Sequence, residues 1–214
     1  MKKYLEILDI PKLPDEFINH ILHGFAFLKE NNFLNSANFL TNFIDLHNPK
    51  ESNPLGIVNP KEIKKSLEIN NFAVNDMADD WKYTIDLPVG LEEWVKENVM
   101  TNGIPKIFIF GNGIRFYPHI DPRNKIAINF LIQKSGFAKT TFYKVKQEFS
   151  DKTIFPTVYL PYEKLEKVAE YEIEKYQWYK FNPEIPHSVE EMDPNEYRII
   201  LSIDADLEKS KVLF

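Results

Sequence analysis

Apolar residues recur at helical spacing in the first part of the chain and alternate with polar ones in the second. In "PDEFINHILHGFAFLKENN" the residues Phe17, Ile18, Ile21, Leu22, Phe25 and Leu28 fall on one helical face, with Pro14 and two acids leading. "SANFLTNFIDLHN" predicts a second helix, and "LEEWVKENVM" a short one with its acids first and a lysine after. A proline- and asparagine-rich connection lies between them, with room for one short helix after Pro60.

From about residue 104 the period falls to two. "PKIFIFGNGIRFYP" reads as strand, Gly-Asn-Gly turn, strand; "KIAINFLIQ" and "TTFYKV" flank a turn at Ser135-Gly136; strands resume at "VAEYEIEKY", "WYKFN", "HSVEE" and "YRIILSID". Many short strands separated by turns predict an antiparallel sandwich or barrel rather than a parallel sheet with crossover helices. The expected organisation is a single domain over 1–214, with a mainly helical support region (1–103) and a β core (104–206), an α+β chain that is mainly β.

Composition narrows the chemistry. A formal charge of -6 disfavours nucleic acid and anionic membrane as partners. With no cysteine, disulfides and thiolate metal sites are excluded, so any metal must be held by nitrogen and oxygen. The start "MKKYLEILDIPKLPDEF" interrupts its apolar run with Glu6 and Asp9 and does not read as a signal peptide, and no apolar run is long enough to span a bilayer; a soluble, cytoplasmic protein is expected.

The stretch "RFYPHIDPRNKIAINFLI" carries the candidate site. In an extended chain residues i and i+2 point the same way, so His119 and Asp121 can converge on one ion. A third nitrogen is available from His187, in "WYKFNPEIPHSVEE". The last strand divides into a face of Tyr197, Ile199, Leu201 and Ile203 and a face of Arg198, Ile200, Ser202 and Asp204. Only three of the 26 basic residues are arginine, so an arginine flanked by apolar residues points to a buried fork that needs a carboxylate, from the protein or from a ligand. The protein's own candidates are Glu190, Glu191 and Glu196.

His119-x-Asp121, then His187, then a basic residue eleven further on resembles the signature of the 2-oxoglutarate- and Fe(II)-dependent oxygenases. The resemblance covers roughly residues 104 to 206, and "PHIDPR", "INFLI" and "WYKFNPEIPHSVE" are most similar to prolyl-hydroxylase-like and phage-type members. It implies a double-stranded β-helix, or jelly roll, with the N-terminal helices packed on one sheet. It also implies Fe(II) held by His119, Asp121 and His187 with open positions for 2-oxoglutarate and O₂, and ascorbate in support. Arg198 matches the partner of the cosubstrate's distal carboxylate; Asn129 matches a polar residue facing the cosubstrate, and Ser202 is placed nearer the keto-acid end or the metal. The implied activity is hydroxylation of a peptide side chain or small polar molecule. Two alternatives keep the barrel: a cupin-like metal enzyme without 2-oxoglutarate, and a non-enzymatic jelly roll used for binding or assembly.

Other residues read more plainly. The family's tyrosine three residues before the first histidine is here Phe116, with Tyr117 one step off. His20 and His23 are surface or packing residues of a helix, and His47 a helix end. Arg115 and Arg123 are surface cations, Asp204 and Asp206 solvated acids, and the aromatic run "YEIEKYQWYKF" is barrel wall. Loops near 48–60, 72–90 and 146–162 are expected to edge the substrate mouth.

Overall fold

The computed structural model describes residues 4–30, 87–111, 116–121, 126–146, 158–160, 162–193 and 195–204. The expected helices over "SANFLTNFIDLHN" and after Pro60, together with His47, Arg115, Arg123 and Asp206, lie outside the described residues, as do most of the three loops assigned to the mouth.

Ten strands are described: β1 (Leu5–Leu8), β2 (Ile104–Gly111), β3 (Phe116–Ile120), β4 (Ala127–Gln133), β5 (Lys139–Val145), β6 (Val158–Tyr159), β7 (Leu165–Glu172), β8 (Trp178–Phe181), β9 (His187–Glu190) and β10 (Tyr197–Asp204). They form two five-stranded sheets, β1-β8-β4-β10-β2 and β6-β3-β9-β5-β7, and every recorded pairing is antiparallel. The strand–turn–strand segments of the sequence do not close as hairpins. β2 and β3 enter different sheets, and so do β4 and β5, so the chain passes back and forth between the layers.

Two helices are described, α1 (Asp15–Glu30) and α2 (Leu91–Asn98). The start of α1 is fixed by Pro14, whose carbonyl accepts from the Phe17 and Ile18 amides, and by acids in the first turn. Gly90 precedes α2 at φ 85°, a left-handed conformation that a side chain would strain. The apolar faces of both helices (Phe17, Ile18, Ile21 and Phe25; Leu91 and Val95) join one core with Ile128, Phe130 and Ile132 of β4, Trp178 of β8, and Tyr197, Ile199, Leu201 and Ile203 of β10. The helices thus cover the outer face of the first sheet, as expected.

A second core lies between the sheets: Leu131 of β4, Tyr179 of β8 and Ile200 of β10 meet Phe142 of β5, with Leu5 and Ile173. The first sheet is therefore buried on both faces, which explains why "AINFLIQ" and "YRIILSID" are nearly continuous apolar runs. Where a helical region was expected, Leu5–Leu8 is a strand that extends this sheet, pairing Leu5 with Phe181 through Leu8 with Trp178. Four residues are too few to show a period, and their conformation is set by the ladder to β8. No helix among the described residues is long and apolar enough to cross a membrane.

Trp178 ties these parts together. Its ring centroid is 4.9 Å from Phe130 and 6.1 Å from Trp94 of α2, and its indole N–H donates to the Pro11 carbonyl at 3.0 Å. Trp178→Ala would leave a cavity at the helix–sheet contact and is expected to lower the unfolding free energy by about 3–5 kcal/mol, measured by urea denaturation.

Candidate metal centre

The two histidines are brought together by strand register. β3 and β9 pair antiparallel with His119 opposite His187, so both side chains leave the same face of the second sheet. Their ring centroids are 4.3 Å apart. Asp121 follows β3 directly and shares the face of His119; its amide donates to the Pro183 carbonyl at 2.9 Å, which ties it to the turn leading into His187. Asp121 Oδ2 lies 3.8 Å from His119 Nε2 and 3.9 Å from His187 Nε2, and the three ligand atoms all fall within 4.8 Å of one another. Donors bonded at about 2.1 Å and at right angles to one another sit about 3 Å apart, so closing on an ion requires inward movements of roughly 1 Å.

The contact between His187 and Asp121 is not an ion pair. Burial holds the His187 imidazole well below its ordinary pKa, and the neighbouring His119 adds to the effect, so His187 is neutral near pH 7. Its Nδ1 lies 2.9 Å from the Ile185 carbonyl oxygen, which fixes the proton there and leaves the Nε2 lone pair directed at the Asp121 side. The ring is wedged between Phe181 (centroids 4.8 Å apart, edge-on) and Phe142 (6.3 Å). Two nitrogens and one oxygen, two of the three side chains buried and none of them a thiolate, suit a divalent transition metal that keeps open positions. Among the described residues no other three His, Asp or Glu side chains come together in this way, and His20 and His23 are exposed on α1.

The interior wall opposite is polar at selected places. Asn129 on β4 and Ser202 on β10 are register partners, and both lie on the strand faces turned towards the second sheet. Ala127, one pleat before Asn129, pairs with Phe181, the residue packed on His187. Asn129 and Ser202 therefore belong to the level next to the histidines, and Arg198 lies two pleats further along β10. Arg198 is 1 % exposed, and neither Nη1 nor Nη2 has a hydrogen-bond partner among the described residues. The three acids expected as its partners have other contacts. Glu190 accepts from three hydroxyls, Glu191 pairs with Lys139 at 2.8 Å, and Glu196 accepts from the Gly136 amide at 2.6 Å. The Asn129 Oδ1 is likewise buried without a partner among the described residues.

Sequence reasoning passed over Phe142 and Phe181, which flank His187, and Ser188 behind it; Glu190 was expected only as a partner for Arg198 and instead bonds Ser188 and two tyrosines. The alternation in "HSVE" was the available signal for Ser188 and Glu190. The side chains of Tyr117 and Asp204 lie outside what is described, and the aromatic run places Trp178 and Tyr179 in the core. No protein-family model matches the chain, and no curated protein matches it.

Two outcomes are expected for the metal-free protein. Because the folded pKa of His187 is depressed, nothing is gained or lost well above pH 6.5, where both states are neutral; below it the unfolded chain takes up a proton that the folded one refuses. The urea midpoint measured in chelator should therefore fall between about pH 7.5 and about pH 5.5, with a shallower fall in His187→Gln. Separately, Arg198→Met removes a buried cation with unanswered donors and should raise ligand-free stability by about 1–3 kcal/mol in the same assay.

Proposed function

We propose that the chain is a non-haem Fe(II) dioxygenase that consumes 2-oxoglutarate and hydroxylates a peptide side chain or small polar molecule. The observation that carries this reading is Arg198: a buried guanidinium with two nitrogens unanswered among the described residues, on the same interior as a His-Asp-His cluster. A protein does not ordinarily keep such a group unless a ligand answers it. A guanidinium fork matches a carboxylate in geometry and charge.

The strand order supports the finer description of the fold. Leaving aside β1 and β6 at the sheet edges, the eight remaining strands are arranged as β8-β4-β10-β2 facing β3-β9-β5-β7, the order expected of a jelly roll. His119, Asp121 and His187 would hold the iron. With 2-oxoglutarate and O₂, Fe(II) in such a site supplies oxidative decarboxylation of the keto acid to succinate coupled to insertion of oxygen into a C–H bond. The chain's own part is positioning. Arg198 anchors the far carboxylate of the dicarboxylate, Asn129 and Ser202 offer polar contacts nearer the histidines, and Phe142 and Phe181 exclude water from one side of His187.

The unanswered guanidinium also favours this reading over a cupin-like enzyme that needs no keto acid, since such an enzyme has no use for it. Anaerobic addition of Fe(II) and 2-oxoglutarate should produce the weak visible charge-transfer band of a chelated keto acid. His119→Ala should abolish it, and Arg198→Met should raise the 2-oxoglutarate needed by roughly 100-fold. No band from the folded wild-type protein at saturating ligand would overturn the proposal. Metal-dependent activity that needs no 2-oxoglutarate and is nearly unchanged in Arg198→Met would shift the reading to the cupin-like alternative.

A further inference from the structure

β9 has only four residues, and its two faces carry different chemistry. His187 and Val189 point to the interior, while Ser188 and Glu190 point to the reverse of the second sheet. On that reverse face a single oxygen, Glu190 Oε1, lies 2.6 Å from the Tyr143 hydroxyl, 2.8 Å from the Tyr162 hydroxyl and 2.6 Å from Ser188 Oγ. Tyr143 and Ser188 are also 2.9 Å from each other. Tyr143 belongs to β5, Ser188 and Glu190 to β9, and Tyr162 to the short 3-10 helix Tyr162–Lys164 before β7. Ser188 is fully buried and Tyr143 nearly so. Burial raises the Tyr143 phenol above its usual pKa and keeps it a donor.

The cluster sits where the backbone ladder fails. β3 and β9 pair at Phe116 with Val189 and at His119 with His187, and the register shifts between these points. Three steps along β3 answer two along β9, so Ser188 has no register partner on β3. The β3 residues at the break are Tyr117 and Pro118, and a proline has no amide to donate to a ladder. On its other side β9 is held by β5, through Thr141 with Ser188 and Phe142 with His187. The strand that carries one histidine is thus interrupted on the side facing the strand that carries the other.

We infer that the Tyr143–Ser188–Glu190–Tyr162 hydrogen-bond network is a positioning device for the metal centre: it fixes β9 at the break in its pairing with β3, and so sets the separation of His187 from His119 and Asp121. Its members are positioning residues, since none is recorded in contact with the ligand atoms. The alternation of the strand couples the two faces, because a shift of the β9 backbone that relaxes Ser188 also moves His187. The inference rests on the reading of His119, Asp121 and His187 as metal ligands.

The test is Co(II) binding to the full-length protein, followed by its visible absorption under conditions where circular dichroism shows each variant folded. Tyr143→Phe and Ser188→Ala each remove one hydroxyl of the network and little volume. Each is expected to weaken Co(II) binding about tenfold, the lower end of what outer-shell partners of metal ligands contribute. Tyr162→Phe, at a partly exposed position and losing one bond, should show a smaller loss in the same direction. A purely structural network would lower the melting temperature and leave the affinity of the folded protein within twofold of wild type, and that result in Tyr143→Phe overturns the inference. Failure of wild type itself to bind Co(II) would instead remove the metal-centre reading on which the inference rests.

Discussion

The placement of His119 opposite His187 across two antiparallel strands is the constraint on which the rest of the site depends. Strand register is all-or-none with respect to side-chain direction: a slip of one residue between β3 and β9 would turn one imidazole to the reverse face. Asp121 adds a carboxylate two residues past His119, and its amide is tied to Pro183, so the loop after β3 and the turn before β9 hold each other. Three ligand atoms come within reach of one ion with no contribution from the helices. The helices act one layer away, by burying the outer face of the opposite sheet.

Opposing demands meet in the space between the sheets. Leu131, Tyr179, Ile200 and Phe142 make it an apolar core, yet Arg198 and Asn129 introduce buried polar atoms that find no hydrogen-bond partner among the described residues. In a protein interior each such atom is a cost of roughly 1–3 kcal/mol, and both residues lie on the face of the first sheet turned towards the histidines. The three nearby glutamates sharpen the point: each has hydrogen-bond or ionic partners of its own, and none turns to the guanidinium.

How much of this could be read from the sequence depended on the range over which each feature is determined. The faces of β10 follow from alternation, and the structure places Tyr197, Ile199, Leu201 and Ile203 against the helices and Arg198, Ile200 and Ser202 towards the other sheet as that alternation requires. His119 and Asp121 could be paired from their spacing alone. His187 needed a resemblance, because no local pattern says which strand will lie beside β3. β1 was not legible, since its four residues take their conformation from β8. The break between β3 and β9 was hidden as well. Pro118 hints at it, but a bulge is a property of two strands and neither one declares it.

The first sheet works as a partition with a different tenant on each side. Adjacent residues of β10 serve opposite sides: Ile199 and Leu201 belong to the foundation beneath the helices, Arg198 and Ser202 to the face turned towards the second sheet. Since successive side chains on a strand do not share neighbours, the inner face can change one alternate position at a time while the foundation stays in place. A chain built this way separates the positions that brace the helices from those that line the space between the sheets, so the one set can vary without disturbing the other.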